Sequence, residues 1–199
     1  MTLVEYGLAA LLCEDPQPVN TSSICAVYRT MHDGQSALLK IPRVREEQGG
    51  EHVWRETRAL RGLSGILSLP KLYKSWELQQ EKSVAALAHF LYGERVAFGL
   101  LREYLEGCTL GTAIARGSYI DYEGLGEDVR AIHEQGYASL DIHVDNLLVD
   151  AKGTLHLIDL GTSVHHDDGP VNAFISWKSF DHTCLRKILF HSAARERYT

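Results

Sequence analysis

Residues 139–163, SLDIHVDNLLVDAKGTLHLIDLGTS, place two aspartates and an asparagine at fixed intervals around an apolar hairpin. Asn146 lies five positions after Asp141, and Asp159 eighteen after it. The residues between them form two apolar runs, 147–149 and 155–158, around the turn residues Ala151, Lys152 and Gly153, which is the pattern of a short buried hairpin. Antiparallel pairing returns the end of the second strand to the start of the first. One carboxamide and two carboxylates therefore gather at one end of the hairpin. Hard oxygens of this kind suit Mg²⁺, which also keeps substrate phosphate in its shell. The chemistry indicated is the handling of phosphate through a divalent cation. Each of the three residues alone would read as a turn former; their combination points to a site, while the neighbouring Asp145 reads as a turn or solvated residue.

Several elements must hold this hairpin in place. Upstream, residues 24–41 read as a β-hairpin turning at His32-Asp33-Gly34-Gln35, where Asp-Gly is the turn signal. Val53, Trp54, Thr57, Leu60 and Leu63 recur at helical spacing and predict a helix over about 51–63. Residues 69–77 and 95–105 predict strands, with a helical or looped insertion at 78–94. From Thr109 the pattern turns helical, first in TLGTAIARG and then in YEGLGEDVRAIHEQG, which stops at Gly136. A last helix is predicted over about 176–192. Strands with one helix, a short crossover near 103–107, then helices with a small hairpin imply two lobes and a cleft, where ligand sites tend to lie.

Composition narrows the function classes. Hydrophobic residues make up 45% and charged residues 23%, as in an ordinary soluble globule. A formal net charge of −6 argues against a nucleic-acid binder. Cys13, Cys25, Cys108 and Cys184 are scattered without a C-x-x-C pair, so neither a disulfide framework nor a zinc site is expected, and a cytoplasmic setting is. The first residues lack a basic region, and Glu5 interrupts their apolar run, so they do not read as a signal peptide. No apolar run is long enough to span a bilayer. His165, His166, Asp167 and Asp168 read as an exposed polar loop rather than a metal site, and Trp54, Trp76 and Trp177 read as packing residues.

With these residues in view, the sequence resembles the protein-kinase-like superfamily. LDIHVDN is similar to the catalytic loop D-x-x-x-x-N, and IDLG to the D-F-G element. ALLKI resembles the V-A-I-K strand and nominates Lys40; WRETRALRGL resembles the helix that supplies its acidic partner and nominates Glu56, with Glu46, Glu47 and Glu51 as other candidates. LLREYLEG resembles the hinge between lobes. The resemblance implies an α+β, two-lobed protein-kinase-like fold: an N-lobe over 1–102, a hinge over 103–107 and a reduced helical C-lobe over 108–199.

It also implies roles. Asp141 would orient the attacking hydroxyl, with His143 near the transferred phosphoryl group. Asn146 and Asp159 would hold Mg²⁺ or Mn²⁺, and Lys40, held by Glu56, would meet the phosphates of ATP. Glu103, Tyr104 and Leu105 would bind the adenine edge, with Ala37 in the roof of that pocket and Ser22 and Ser23 over the phosphates. Asp181 resembles the buried aspartate that ties a C-lobe helix to the catalytic loop.

Three departures qualify this picture. The phosphate-covering stretch VNTSSICAVYR contains no glycine. Ser139 and Leu140 stand where the common protein kinases have His-Arg. Only 38 residues follow Gly161, and no A-P-E element appears among them, which resembles minimal or atypical kinases: the RIO and Bud32 types, lipopolysaccharide-core sugar kinases and compact bacterial effector kinases. The expected activity is ATP- and metal-dependent phosphoryl transfer to a hydroxyl, with a protein Ser/Thr acceptor favoured over a sugar or other small molecule and a partner protein completing the acceptor site. The alternative is a pseudokinase acting as a binding or scaffold module.

Overall fold

The computed structural model describes residues 3–21 and 24–196 and is α+β. The chain divides into two compact units, Met1–Arg58 with Lys71–Tyr104, and Ala59–Pro70 with Leu105–Thr199.

The first unit contains helix α1 (Leu3–Leu12), strands β1 (Gln17–Thr21), β2 (Cys25–His32) and β3 (Gln35–Pro42), the start of helix α2 (Gln48–Gly62), strand β4 (Leu72–Glu77), helix α3 (Ala85–Tyr92) and strand β5 (Phe98–Glu103). The strands form one antiparallel sheet in the order β1-β2-β3-β5-β4. The β2–β3 turn has positive φ at both central residues, Asp33 (50°) and Gly34 (77°), as a two-residue hairpin with right-handed strand twist requires. Along β3 the side chains alternate. Ala37, Leu39 and Ile41 are fully buried in a core with Leu8 and Ala9 of α1 and Ala88 and Tyr92 of α3, so Leu38 and Lys40 occupy the other face.

The sequence reading anticipated neither α1 nor β1. Helix α1 is apolar on nearly every side, so it lacks the amphipathic stripe by which a surface helix is recognised. Its one carboxylate, Glu5, is buried and meets Arg43 at 3.2 Å.

Helix α2 starts at Gln48, three residues before the expected position, and its first turn holds two adjacent glycines. A Cβ on Gly49 would lie 2.6 Å from the Ile24 carbonyl oxygen and 2.9 Å from Pro42 Cβ; one on Gly50 would lie 2.8 Å from the Val96 carbonyl oxygen. The missing side chains let α2 press directly on strand-end backbone.

The second unit contains strand β6 (Cys108–Thr109), helices α4 (Leu110–Arg116) and α5 (Glu123–Glu134), strands β7 (Tyr137–Ala138), β8 (Leu147–Val149), β9 (Leu155–Leu157) and β10 (Val164–His165), a 3₁₀ turn over His166–Asp168 and helix α6 (Val171–Glu196). Strands β6, β8 and β9 form one small antiparallel sheet, and β7 pairs with β10 in another. Thr109 caps α4 by accepting from Thr112 N, and Gly117 ends that helix in the left-handed conformation. In α5, Leu125, Val129, Ile132 and His133 are buried at helical spacing. Helix α6 begins earlier and runs further than the expected 176–192. Among the described residues, no helix is long and apolar enough to cross a membrane.

Residues 59–70 belong to the second unit. His156 Nδ1 meets the Ser68 carbonyl at 3.1 Å, and a Cβ on Gly62 would lie 2.5 Å from the Tyr137 hydroxyl.

The glycines at the start of α2 yield a direct test. Gly→Ala inside a helix ordinarily stabilises by about 1 kcal/mol. Here Gly49→Ala should instead destabilise by roughly 1–3 kcal/mol, the usual range for overpacking. Urea unfolding of the variant checks this; unchanged or increased stability would contradict the close approach of α2.

Candidate active site

The loop carrying Asp141 is an unusual piece of backbone. Ser139 (φ 63°) and Asp141 (φ 49°) both adopt the left-handed conformation, at about 1–3 kcal/mol per non-glycine residue. Between them Leu140 is fully buried. The anchor is Asp181 of α6, whose side chain is also fully buried. Its Oδ1 accepts from Leu140 N at 2.9 Å, and its Oδ2 accepts from Ser139 N at 2.9 Å. His133 of α5 stands 2.9 Å from the same Oδ2 through Nε2. The carboxylate can only accept, so the ring carries its hydrogen on Nε2 in this contact. One side chain thus joins α5, α6 and the loop. The ring of His182 meets His133 edge-on at 5.0 Å, and burial, followed by the neighbouring His133 and Arg186, holds His182 below the usual imidazole range.

Within this loop, Asn146 Nδ2 donates to the Asp141 carbonyl oxygen and to Asp141 Oδ2, both at 3.1 Å. That fixes the carboxamide, with Oδ1 as the atom not used toward Asp141. His143 Nδ1 accepts from Asp145 N at 3.3 Å, so Nε2 carries the ring hydrogen and lies 3.5 Å from Asp141 Oδ2. Ile158 N donates to the Asn146 carbonyl at 3.0 Å, which brings Asp159 to the same end of the β8–β9 hairpin as Asn146. Asp159 Oδ1 accepts from Gly161 N at 2.9 Å. Thr162 Oγ1 donates to the Ser139 carbonyl at 2.8 Å, stitching the segment after Asp159 onto the Asp141 loop.

In the first unit, Lys40 Nζ donates to Glu56 Oε2 at 2.6 Å, with both side chains buried. This assigns the partner that the sequence left open among four acids: Glu46, Glu47 and Glu51 are exposed. Arg102 Nε approaches Glu56 Oε1 at 3.1 Å, so the carboxylate serves two cations. Ala37 is not brought together with Lys40. It sits three residues away on the other face of β3, in the apolar core, and Leu38 shares the Lys40 face instead. Glu103 pairs with Ala37 across the sheet and donates its N–H to the Lys71 carbonyl; Tyr104 N donates to the Ser36 carbonyl. Leu105 is half-buried in the second unit. Ser22 and Ser23 lie outside the described residues.

Three residues were missed by the sequence reading. Arg102 and Leu38 could have been found by counting alternate positions along β5 and β3, which puts both on one face with Lys40. Thr162 gives no signal in sequence. Residues 165–168, largely exposed, form a capped turn: Asp167 N donates to His165 Nδ1 at 3.4 Å, and His165 N donates to Asp168 Oδ2 at 3.1 Å.

Comparison with known proteins adds one short match. A stretch of 47 residues, 24% of this chain, is 34% identical to the serine/threonine-protein kinase PSK1 of Saccharomyces cerevisiae, and it spans 4% of that protein's length. No protein-family model matches the chain.

The anchoring carboxylate sets an expectation for stability. Asp181→Ala leaves two buried backbone donors and His133 without their acceptor, and should destabilise by about 3–5 kcal/mol, as when one partner of a buried charged network is removed. Asp181→Asn keeps the shape but replaces an acceptor by a donor, so it should also destabilise, by less. Guanidinium unfolding of both variants is the check; a loss within the scatter of surface substitutions would contradict the role.

Proposed function

We propose that this chain is an ATP- and Mg²⁺- or Mn²⁺-dependent phosphotransferase to a hydroxyl acceptor, built on a two-lobed protein-kinase-like fold. In this reading a small N-lobe, a hinge at 103–107 and a helical C-lobe carry the site. The observation that carries it is the loop geometry: a strained turn, held by a buried aspartate, presents Asp141 with Asn146 bonded to it and Asp159 at the same hairpin end.

The donor set fits a hard divalent cation: a carboxamide oxygen on Asn146 and a carboxylate on Asp159. The cation would neutralise charge on the phosphate oxygens during transfer. Asp141, half-exposed, accepts the proton of the incoming hydroxyl or orients it. His143 places an N–H beside Asp141 and so steadies the carboxylate as an acceptor. Lys40, aimed by Glu56, offers its ammonium to phosphate. Positioning and charge neutralisation do the work, with little covalent chemistry by the protein. A protein serine or threonine is the first acceptor to test, with a partner protein supplying part of its docking surface; the match to a serine/threonine kinase supports that choice.

The test is transfer from labelled ATP with Mg²⁺ or Mn²⁺, using protein substrates and a sugar and metabolite panel. Wild type should turn over. Asp141→Ala should lose roughly 10²–10⁴-fold in rate, the usual contribution of a positioned acid or base, and Asp159→Ala should abolish the metal-dependent rate. Nucleotide binding without turnover under every condition would favour a scaffold. Turnover stimulated by sugars alone would favour a small-molecule kinase.

A further inference from the structure

Arg102 occupies a position where the strand reads as apolar. It follows Phe98, Gly99, Leu100 and Leu101 in β5, an interior strand with β3 on one side and β4 on the other. Leu100 and Leu101 are buried, and so is Arg102, with 6% of its surface exposed. A guanidinium stays charged at any working pH, so its burial requires a matching anion. The anion is Glu56: Oε1 faces Arg102 Nε at 3.1 Å while Oε2 takes Lys40 Nζ at 2.6 Å. The other arm of the guanidinium, through Nη1, donates to the Glu103 carbonyl at 3.3 Å.

We propose that Arg102 is a further positioning residue of this site, holding Glu56 and the Glu103 carbonyl at once and so fixing the Lys40 side of the site to the start of the 103–105 segment. The proposal rests on the phosphotransferase reading above. With one oxygen of Glu56 paired to the Arg102 cation and the other bonded to Lys40, one orientation of the carboxylate is favoured. Sharing the carboxylate between two cations also leaves the Lys40 ammonium less neutralised than a one-to-one pair would, which favours an anionic phosphate. The Lys40–Glu56 pair is therefore assembled before nucleotide arrives. The Glu103 contact acts elsewhere, on backbone assigned above to the base.

These two arms can be separated. A lysine at 102 has one compact ammonium, which can serve Glu56 but cannot bridge to the Glu103 carbonyl with a planar fork. Steady-state kinetics on Arg102→Met should show kcat down, from loss of the ion pair to Glu56, and KM for ATP up, from loss of the bond to the Glu103 carbonyl, each on the order of tenfold or more. Arg102→Lys should recover most of kcat while KM for ATP stays raised. Unchanged kinetics in Arg102→Met, or recovery of both constants by lysine, would overturn the two-armed role.

A second measurement does not need activity. Thermal unfolding of Lys40→Met, Arg102→Met and the double variant should be strongly non-additive, because only in the double variant is the buried Glu56 left with neither cation. Its melting temperature should fall by more than the sum of the two single shifts, and adding Glu56→Gln should restore part of the loss. Additive shifts would show that Arg102 does not hold Glu56. If the wild type has no turnover with any metal or acceptor, the phosphotransferase reading fails by itself, and the unfolding cycle still decides whether Arg102 holds Glu56.

Discussion

The geometry of the second unit depends on one buried carboxylate. Asp181 receives two adjacent backbone N–H groups and an imidazole, and the residues bearing those N–H groups belong to a turn with two left-handed non-glycine residues. The strain there is about 1–3 kcal/mol per residue. Hydrogen bonds to a charged acceptor are worth about 1.5–3 kcal/mol each. Three such bonds outweigh two strained residues, so the turn persists without glycine. The gain is positional: Leu140 points into the core, and Asp141 is delivered half-exposed, with Asn146 locked against it.

The first unit uses the same device with the charges reversed in number. There one buried carboxylate, Glu56, faces two buried cations on neighbouring strands. Burying three ions is expensive in desolvation, and pairs of this kind are weak evidence for stability. Their value is geometric, since a carboxylate gripped at both oxygens has one orientation. The glycines at the start of α2 belong to this arrangement, because they allow the helix bearing Glu56 to lie close against the strand ends. In each unit, then, a chemically capable side chain (Asp141 or Lys40) owes its placement to an acid that does not itself do the chemistry.

How much of this was legible in the sequence varied with how local the cause was. The Asp33-Gly34 turn and the α+β class follow from turn chemistry and hydrophobic period, which act over a few residues. The spacing of Asp141, Asn146 and Asp159 also sufficed to bring them to one hairpin end, because strand pairing fixes that relation. The start of α2 was hidden, since paired glycines read as a loop until the backbone packed against them is known. Helix α1 was hidden because a helix apolar on most sides has no stripe. Ala37 and Lys40 fall on opposite faces because β3 has a period of 2, in which an odd number of steps reverses the face. Thr162 was invisible for a different reason: its partner, the Ser139 carbonyl, is remote in sequence; for Arg102 the alternation along β5 gives the face, but its partner Glu56 is remote in sequence.

The central claim is that Asp181 holds the Asp141 loop by its backbone. Amide hydrogen exchange of Ser139 and Leu140 measures this most directly, because local opening is the only route to exchange short of global unfolding. Both amides should exchange as slowly as those in the cores of α5 and α6, and in Asp181→Asn their protection should collapse while the helix cores keep theirs. Rapid exchange of Ser139 and Leu140 in the wild-type protein would contradict the account.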